Sequence, residues 1–74
     1  MKFIDLYQAL IIMKFYDIKI NIVERETLKL ISSEIMSMTD LSLNLEYYKN
    51  KQVNCIHSMK YDNEYDYNIT LYNE

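Results

Sequence analysis

The sequence predicts an α+β fold in which two helices pack on one face of a small, mostly antiparallel sheet, in the order α-β-α-β-β-β. Two segments carry apolar residues at three- and four-residue steps, and four others carry them at every second position. The 74-residue length admits a single domain, residues 1–74. One apolar face per strand and one apolar stripe per helix are satisfied together by a two-layer arrangement.

In residues 2 to 14, Phe3, Leu6, Tyr7, Leu10 and Ile11 form a stripe along one side of a first helix. The period then changes. Tyr16, Ile18, Ile20 and Ile22 alternate with Asp17, Lys19 and Asn21, the pattern of a half-buried strand. Asn21-Ile22-Val23-Glu24 has capping-box form, and Leu28, Ile31, Ile35 and Met38 follow at helical spacing. A second helix is therefore expected from Val23 or Glu24 to Met38, with Leu30 and Met36 off its main stripe.

After Thr39 the two-residue period returns. Leu41, Leu43, Leu45 and Tyr47 read as the inner face of a second strand, with Asp40, Ser42, Asn44, Glu46 and Tyr48 outside. Lys49-Asn50-Lys51-Gln52 is the first hairpin turn, Asn being the best left-handed residue in a chain without Gly. The third strand alternates Val53, Cys55, His57 and Met59 against Asn54, Ile56, Ser58 and Lys60. Asp62-Asn63-Glu64 offers a second turn, and a fourth strand sets Tyr65, Tyr67, Ile69 and Leu71 inward, with Asp66, Asn68, Thr70 and Tyr72 outward. The last three strands are expected to form an antiparallel meander.

Composition excludes several chemistries. With no Gly, the chain lacks the phosphate-cradling loop, the dinucleotide fingerprint, the EF-hand loop and the nucleophile elbow. One Cys, one His and one Arg cannot assemble a metal cage or a disulfide framework within one chain. Cys55 and His57 stand two apart on one strand face, but that face is expected to meet the helices, and no Gly-rich turn presents an oxyanion site. No enzyme, cofactor or metal is expected. The longest apolar run, Ala9 to Met13, is far below the ~20 residues of a spanning helix, and no secretory signal is evident, so a cytoplasmic protein is expected. Residues with A/T-rich codons (Asn, Lys, Ile, Tyr, Phe) make up 34 of the 74, pointing to an A/T-rich genome.

Charge is segregated. Residues 61 to 74 hold Asp62, Glu64, Asp66 and Glu74 with no Lys or Arg, which leaves residues 1 to 60 at +1. On the expected alternation, Asp40, Glu46, Asp62, Glu64, Asp66 and Glu74 share the outer sheet face with Lys60, and Tyr48 and Tyr72 stand among them. An acidic face with aromatic anchors fits a basic protein partner, charge steering the encounter and aromatics supplying binding energy. Direct nucleic-acid binding is not expected, since phosphate contacts need clustered cations. The expected partner-binding residues are Asp62, Glu64, Asp66, Tyr72, Glu74, Glu46 and Tyr48.

In length, codon bias, lack of enzyme residues and the stretch Tyr61-Asp62-Asn63-Glu64-Tyr65-Asp66-Tyr67, the chain resembles the small acidic phage proteins that inhibit host defence, notably the anti-CRISPR proteins. The resemblance implies a phage or mobile-element origin and action in the cytoplasm of a host bacterium. It also implies a mode: an acidic nucleic-acid mimic occupying the basic channel of a CRISPR effector nuclease or its nucleoprotein complex. Two other classes fit the same features. One is an antitoxin or small regulatory partner. The other is a structural homodimer joined through the sheet edge or the Leu30 and Met36 side of the second helix.

Overall fold

The computed structural model describes residues 1–59 and 64–73. It is an α+β structure with seven elements: α1 (Phe3–Met13), β1 (Asp17–Val23), β2 (Leu30–Ser37), α2 (Met38–Leu43), α3 (Leu45–Tyr48), β3 (Val53–Ser58) and β4 (Tyr67–Tyr72). The strands form one mixed sheet in the order β2-β1-β4-β3. β1 is antiparallel to β2 and parallel to β4, and β3 is antiparallel to β4.

The first helix and first strand form where the periodicity predicts, but Ile11 of the expected stripe and Tyr16, which precedes β1, are exposed. Phe3, Leu6 and Leu10 are the buried stripe of α1, and Ile18, Ile20 and Ile22 are the buried side of β1. Lys2, which precedes α1, provides no side-chain cap. The first amides of the helix are satisfied instead by the segment after α3, where the Lys51 carbonyl accepts from the Phe3 N–H (2.9 Å) and the Lys49 carbonyl from Ile4 (3.0 Å). Residues 49–52 are thus not a hairpin turn but the link from α3 to β3.

Residues 24–48 depart from the expected order. The second helix is absent: one turn closes at Leu28, whose N–H bonds the Glu24 carbonyl at 2.8 Å, and the Glu24 N–H then bonds Lys29 O at 2.9 Å. Leu28 has φ of 59°, left-handed, so no helix continues through it. The chain enters β2, where Leu30, Ile31 and Ile35 stay exposed and Met36 alone is buried. Ser32, Ser33 and the β-branched Ile31 and Ile35 have weak helix propensity, and the edge of β1 supplies a ladder for their backbone.

The expected second strand is instead the helix pair α2 and α3. The Ser37 hydroxyl caps α2 by accepting from Asp40 N at 3.1 Å. Met38, Leu41, Leu45 and Tyr48 follow the three- and four-residue steps of one helical face and join the core, while Leu43 and Tyr47 are exposed. The meander is accordingly reduced to the hairpin pair β3 and β4, and β1 occupies the other side of β4. The expected second turn, at 62–64, lies partly outside the described residues.

All three helices share one core with Ile18, Ile20 and Ile22 of β1 and Ile69 and Leu71 of β4, so the helical layer covers a single sheet face. Phe3 packs edge-on to Tyr48 with ring centroids 6.1 Å apart, tying α1 to α3. Lys51 is buried along its stem, with its ammonium 4.7 Å from the Tyr47 ring centre.

Three substitutions test this reassignment by urea unfolding. Leu41→Ala, which empties a fully buried site, should cost about 2–5 kcal/mol. Leu43→Ala, at a side chain 77% exposed, should stay within ~0.5 kcal/mol. Leu28→Gly should stabilise by up to about 1 kcal/mol, because glycine adopts the left-handed conformation without the steric cost leucine carries there.

Candidate functional site

The residues expected to form one acidic face are divided between layers. Glu46 and Tyr48 lie on α3, in the helical layer, and Asp40 lies on α2. Tyr48 is a core residue, 6% exposed. Its hydroxyl titrates above the ordinary tyrosine range, first because burial disfavours the phenolate and then because Glu34 and Tyr47 add negative charge nearby. Glu46 is exposed and pairs with Lys49 across one helical turn at 3.0 Å, a contact worth little in stability. The helical path of residues 38–48 turns Glu46 and Tyr48 in different directions.

Of the C-terminal acids, Asp62 and Glu74 lie outside the described residues, as does Lys60. Glu64 is exposed. Asp66 is half-buried and already engaged, its carboxylate accepting from Tyr16 N at 2.8 Å while its own N–H donates to Asp17 O at 2.8 Å. Tyr72 is on the open sheet face as expected. Its hydroxyl accepts from Asn54 Nδ2 at 2.6 Å, and the Arg25 guanidinium sits 4.2 Å from the centre of its ring.

Cys55 and His57 are on the opposite face from the one expected. Val53 pairs with Leu71 on the covered side, but the register shifts at Asn54, so that Cys55 faces Thr70 and His57 faces Asn68. A single unpaired residue inverts every later side chain of the strand. Cys55 is therefore half-buried rather than enclosed, and His57 is exposed. Among the described residues no group of three or more His, Cys, Asp or Glu side chains is arranged to hold a metal ion.

The open face is a hydrogen-bonded polar sheet. Asn21, at the centre of β1, donates through Nδ2 to Asn68 Oδ1 (2.6 Å), the Ile69 carbonyl (3.3 Å) and Thr70 Oγ1 (3.4 Å). The Ser33 hydroxyl donates to Asn21 Oδ1 at 2.7 Å, extending the network onto β2. Lys19 lies 5.5 Å over the Tyr65 ring. Cations and amides, not carboxylates, occupy the middle of this face, and their polar atoms are directed largely at one another.

The apolar surface left in the open is elsewhere. Leu28, Leu30, Ile31 and Ile35 are 56%, 57%, 51% and 45% exposed along β2 and its turn. β2 is an edge strand that pairs only with β1 among the described residues. The other edge differs: the Val53 N–H of β3 donates to Met1 O at 2.8 Å, and Lys2 bridges to Gln52, so the chain start lies against it. A further apolar hollow of about 680 Å³ is lined by Ile11, Lys14, Phe15, Tyr16 and Met38. Sequence reasoning missed β2 because its apolar positions also satisfy a helical stripe; the Ser32-Ser33 pair and the Ser37-to-Asp40 cap were the available signals.

Comparison of the chain with protein-family models, with curated proteins and with solved structures finds no match. No helix among the described residues is long and apolar enough to cross a membrane.

The placement of Cys55 has a direct check. Its thiol should react with a small maleimide in the native protein, more slowly than a free thiol but without waiting for global unfolding. Protection down to the unfolding rate would return Cys55 to the covered face.

Proposed function

We propose that the chain is a non-enzymatic protein-binding module that takes up an extended segment of its partner along β2. One observation carries this reading: three large apolar side chains, Leu30, Ile31 and Ile35, stand in solvent along an edge strand of eight residues, with Leu28 exposed in the turn before it. Scattered apolar residues on a surface are ordinary, but a long apolar edge is a template for strand addition, and soluble proteins normally guard such edges. An added strand gains main-chain hydrogen bonds from the open ladder and side-chain contacts with Leu30 and Ile35. The uncovered sheet face beside it is rich in internally bonded polar groups and supports a solvated rim.

A second reading is favoured by the charge distribution. Four acids without a base in residues 61–74 support an inhibitor that docks on a basic surface of a host-defence nucleoprotein, the mode of the anti-defence proteins the sequence resembles. Its contacts would come from Asp62, Glu64 and Glu74, with Tyr72 at the rim, and less from Asp66, whose carboxylate holds the Tyr16 backbone.

Affinity capture from the lysate of a low-GC bacterium separates the two. Proteins retained by the wild-type chain should be lost with Ile35→Lys, which places a charge on the edge, and kept with Asp62→Asn/Glu64→Gln. The reverse pattern would transfer the function to the acidic segment. Retention of the same proteins by both variants would remove both surfaces from consideration.

A further inference from the structure

We infer that the strand received by this edge is β2 of a second copy, joined antiparallel about a two-fold axis passing beside Ser33. This assignment rests on β2 being a binding edge and names what binds there. Symmetry limits the possible registers. In an antiparallel ladder a residue whose N–H and C=O point at the neighbouring strand faces a residue doing the same, and successive residues point in opposite in-plane directions. Two identical strands meet that condition only when the axis lies beside a residue, never midway between two.

The sequence of β2 discriminates among the remaining registers. An axis at Glu34 sets two carboxylates directly opposite one another, which is unfavourable. An axis at Ser32 puts Ile31 against Ser33 and Lys29 against Ile35, while axes at Ile31 or Ile35 leave much of the strand unpaired. An axis at Ser33 places Ile31 opposite Ile35 twice and Ser32 opposite Glu34, and it spans Leu30 to Met36 of the strand, with Leu30 set on the open face by the register shift at Ile31. The small Ser33 side chain falls where the two copies approach on the axis. The ladder of β2 on β1 is regular from Ser32 to Ser37, and its irregularity is confined to Ile31 at the strand start. The paired edges make one continuous sheet from two molecules and withdraw from water the apolar residues that the single chain leaves exposed.

Cross-linking of the full chain in a Cys55→Ser background tests the axis. In this register the two Ser33 Cα atoms are about 4.5–5.5 Å apart, within the roughly 4.4–6.8 Å span of a disulfide. The two Lys29 Cα atoms, each four residues from the axis, are roughly 27 Å apart at ~3.4 Å per residue. Under mild oxidation Ser33→Cys should form a covalent dimer at least about tenfold faster than Lys29→Cys, since held thiols meet at millimolar effective concentration. Sedimentation should give twice the chain mass for the wild type, and the single-chain mass for Ile35→Lys with an unchanged circular dichroism spectrum. A wild-type chain that sediments as a monomer up to millimolar concentration overturns the second copy as occupant, and so does equal cross-linking of the two cysteine variants. Either failure leaves the binding edge itself to the capture experiment, where loss of retained proteins with Ile35→Lys sustains it and unchanged retention removes it.

Discussion

Because β1 and β4 run parallel side by side, Ile18, Ile20 and Ile22 stand beside Tyr67, Ile69 and Leu71, and every other element takes its place from that joint. Parallel neighbours cannot be linked by a tight turn. The chain between them must leave the sheet and return, and it does so through β2, the two short helices and β3. Each central strand carries an antiparallel partner on its outer side, which makes the sheet two hairpins joined down the middle. The helices gather on the face where the joint is apolar, and Leu41, Phe3 and Leu10 fill the layer above it without measurable exposure.

The absence of glycine shapes the remainder. Among the described residues, Lys14 after α1 and Leu28 in the β1–β2 turn adopt positive φ with a Cβ present. Both mark places where the chain reverses between elements, and both are tolerated because neighbouring hydrogen bonds fix the turn. At Leu28 the same conformation leaves a large apolar side chain in solvent beside β2, so the local solution to a turn adds to the exposed edge.

How much of this was legible in the sequence depends on which residues repeat unambiguously. α1, β1 and β4 were readable because Phe3, Leu6 and Leu10, or Ile18, Ile20 and Ile22, or Tyr67, Ile69 and Leu71, fit only one period, while β3 was readable as a strand but not in its faces. Between Glu24 and Tyr48 the apolar residues fit two. Leu28, Ile31 and Ile35 satisfy a helix yet belong to a turn and a strand, whereas Leu41, Leu43 and Leu45 satisfy a strand yet belong to helices. Local propensity pointed the right way at Ser32-Ser33 and at the Ser37 cap, but tertiary pairing with β1 decided the outcome. The charge segregation of the last fourteen residues was plain in the sequence. Its assignment to one face was not, because that required knowing where residues 38–48 go and that Asn54 interrupts the register of β3.

The central joint also sets the order of events by which the chain reaches this structure. The bond from Ser33 to Asn21 closes a span of 12 residues, whereas those from Asn21 to Asn68 and Thr70 close spans of 47 and 49. Loop-closure entropy makes the longer closure costlier by about 1.2 kcal/mol, a little under tenfold in rate. The β1–β2 hairpin is therefore a local event and the β1–β4 pairing a distant one, so docking of the two halves governs the folding rate. Until they dock, β1 presents its apolar side with only one edge satisfied, and the interval before docking is when the chain is most open to pairing with another strand.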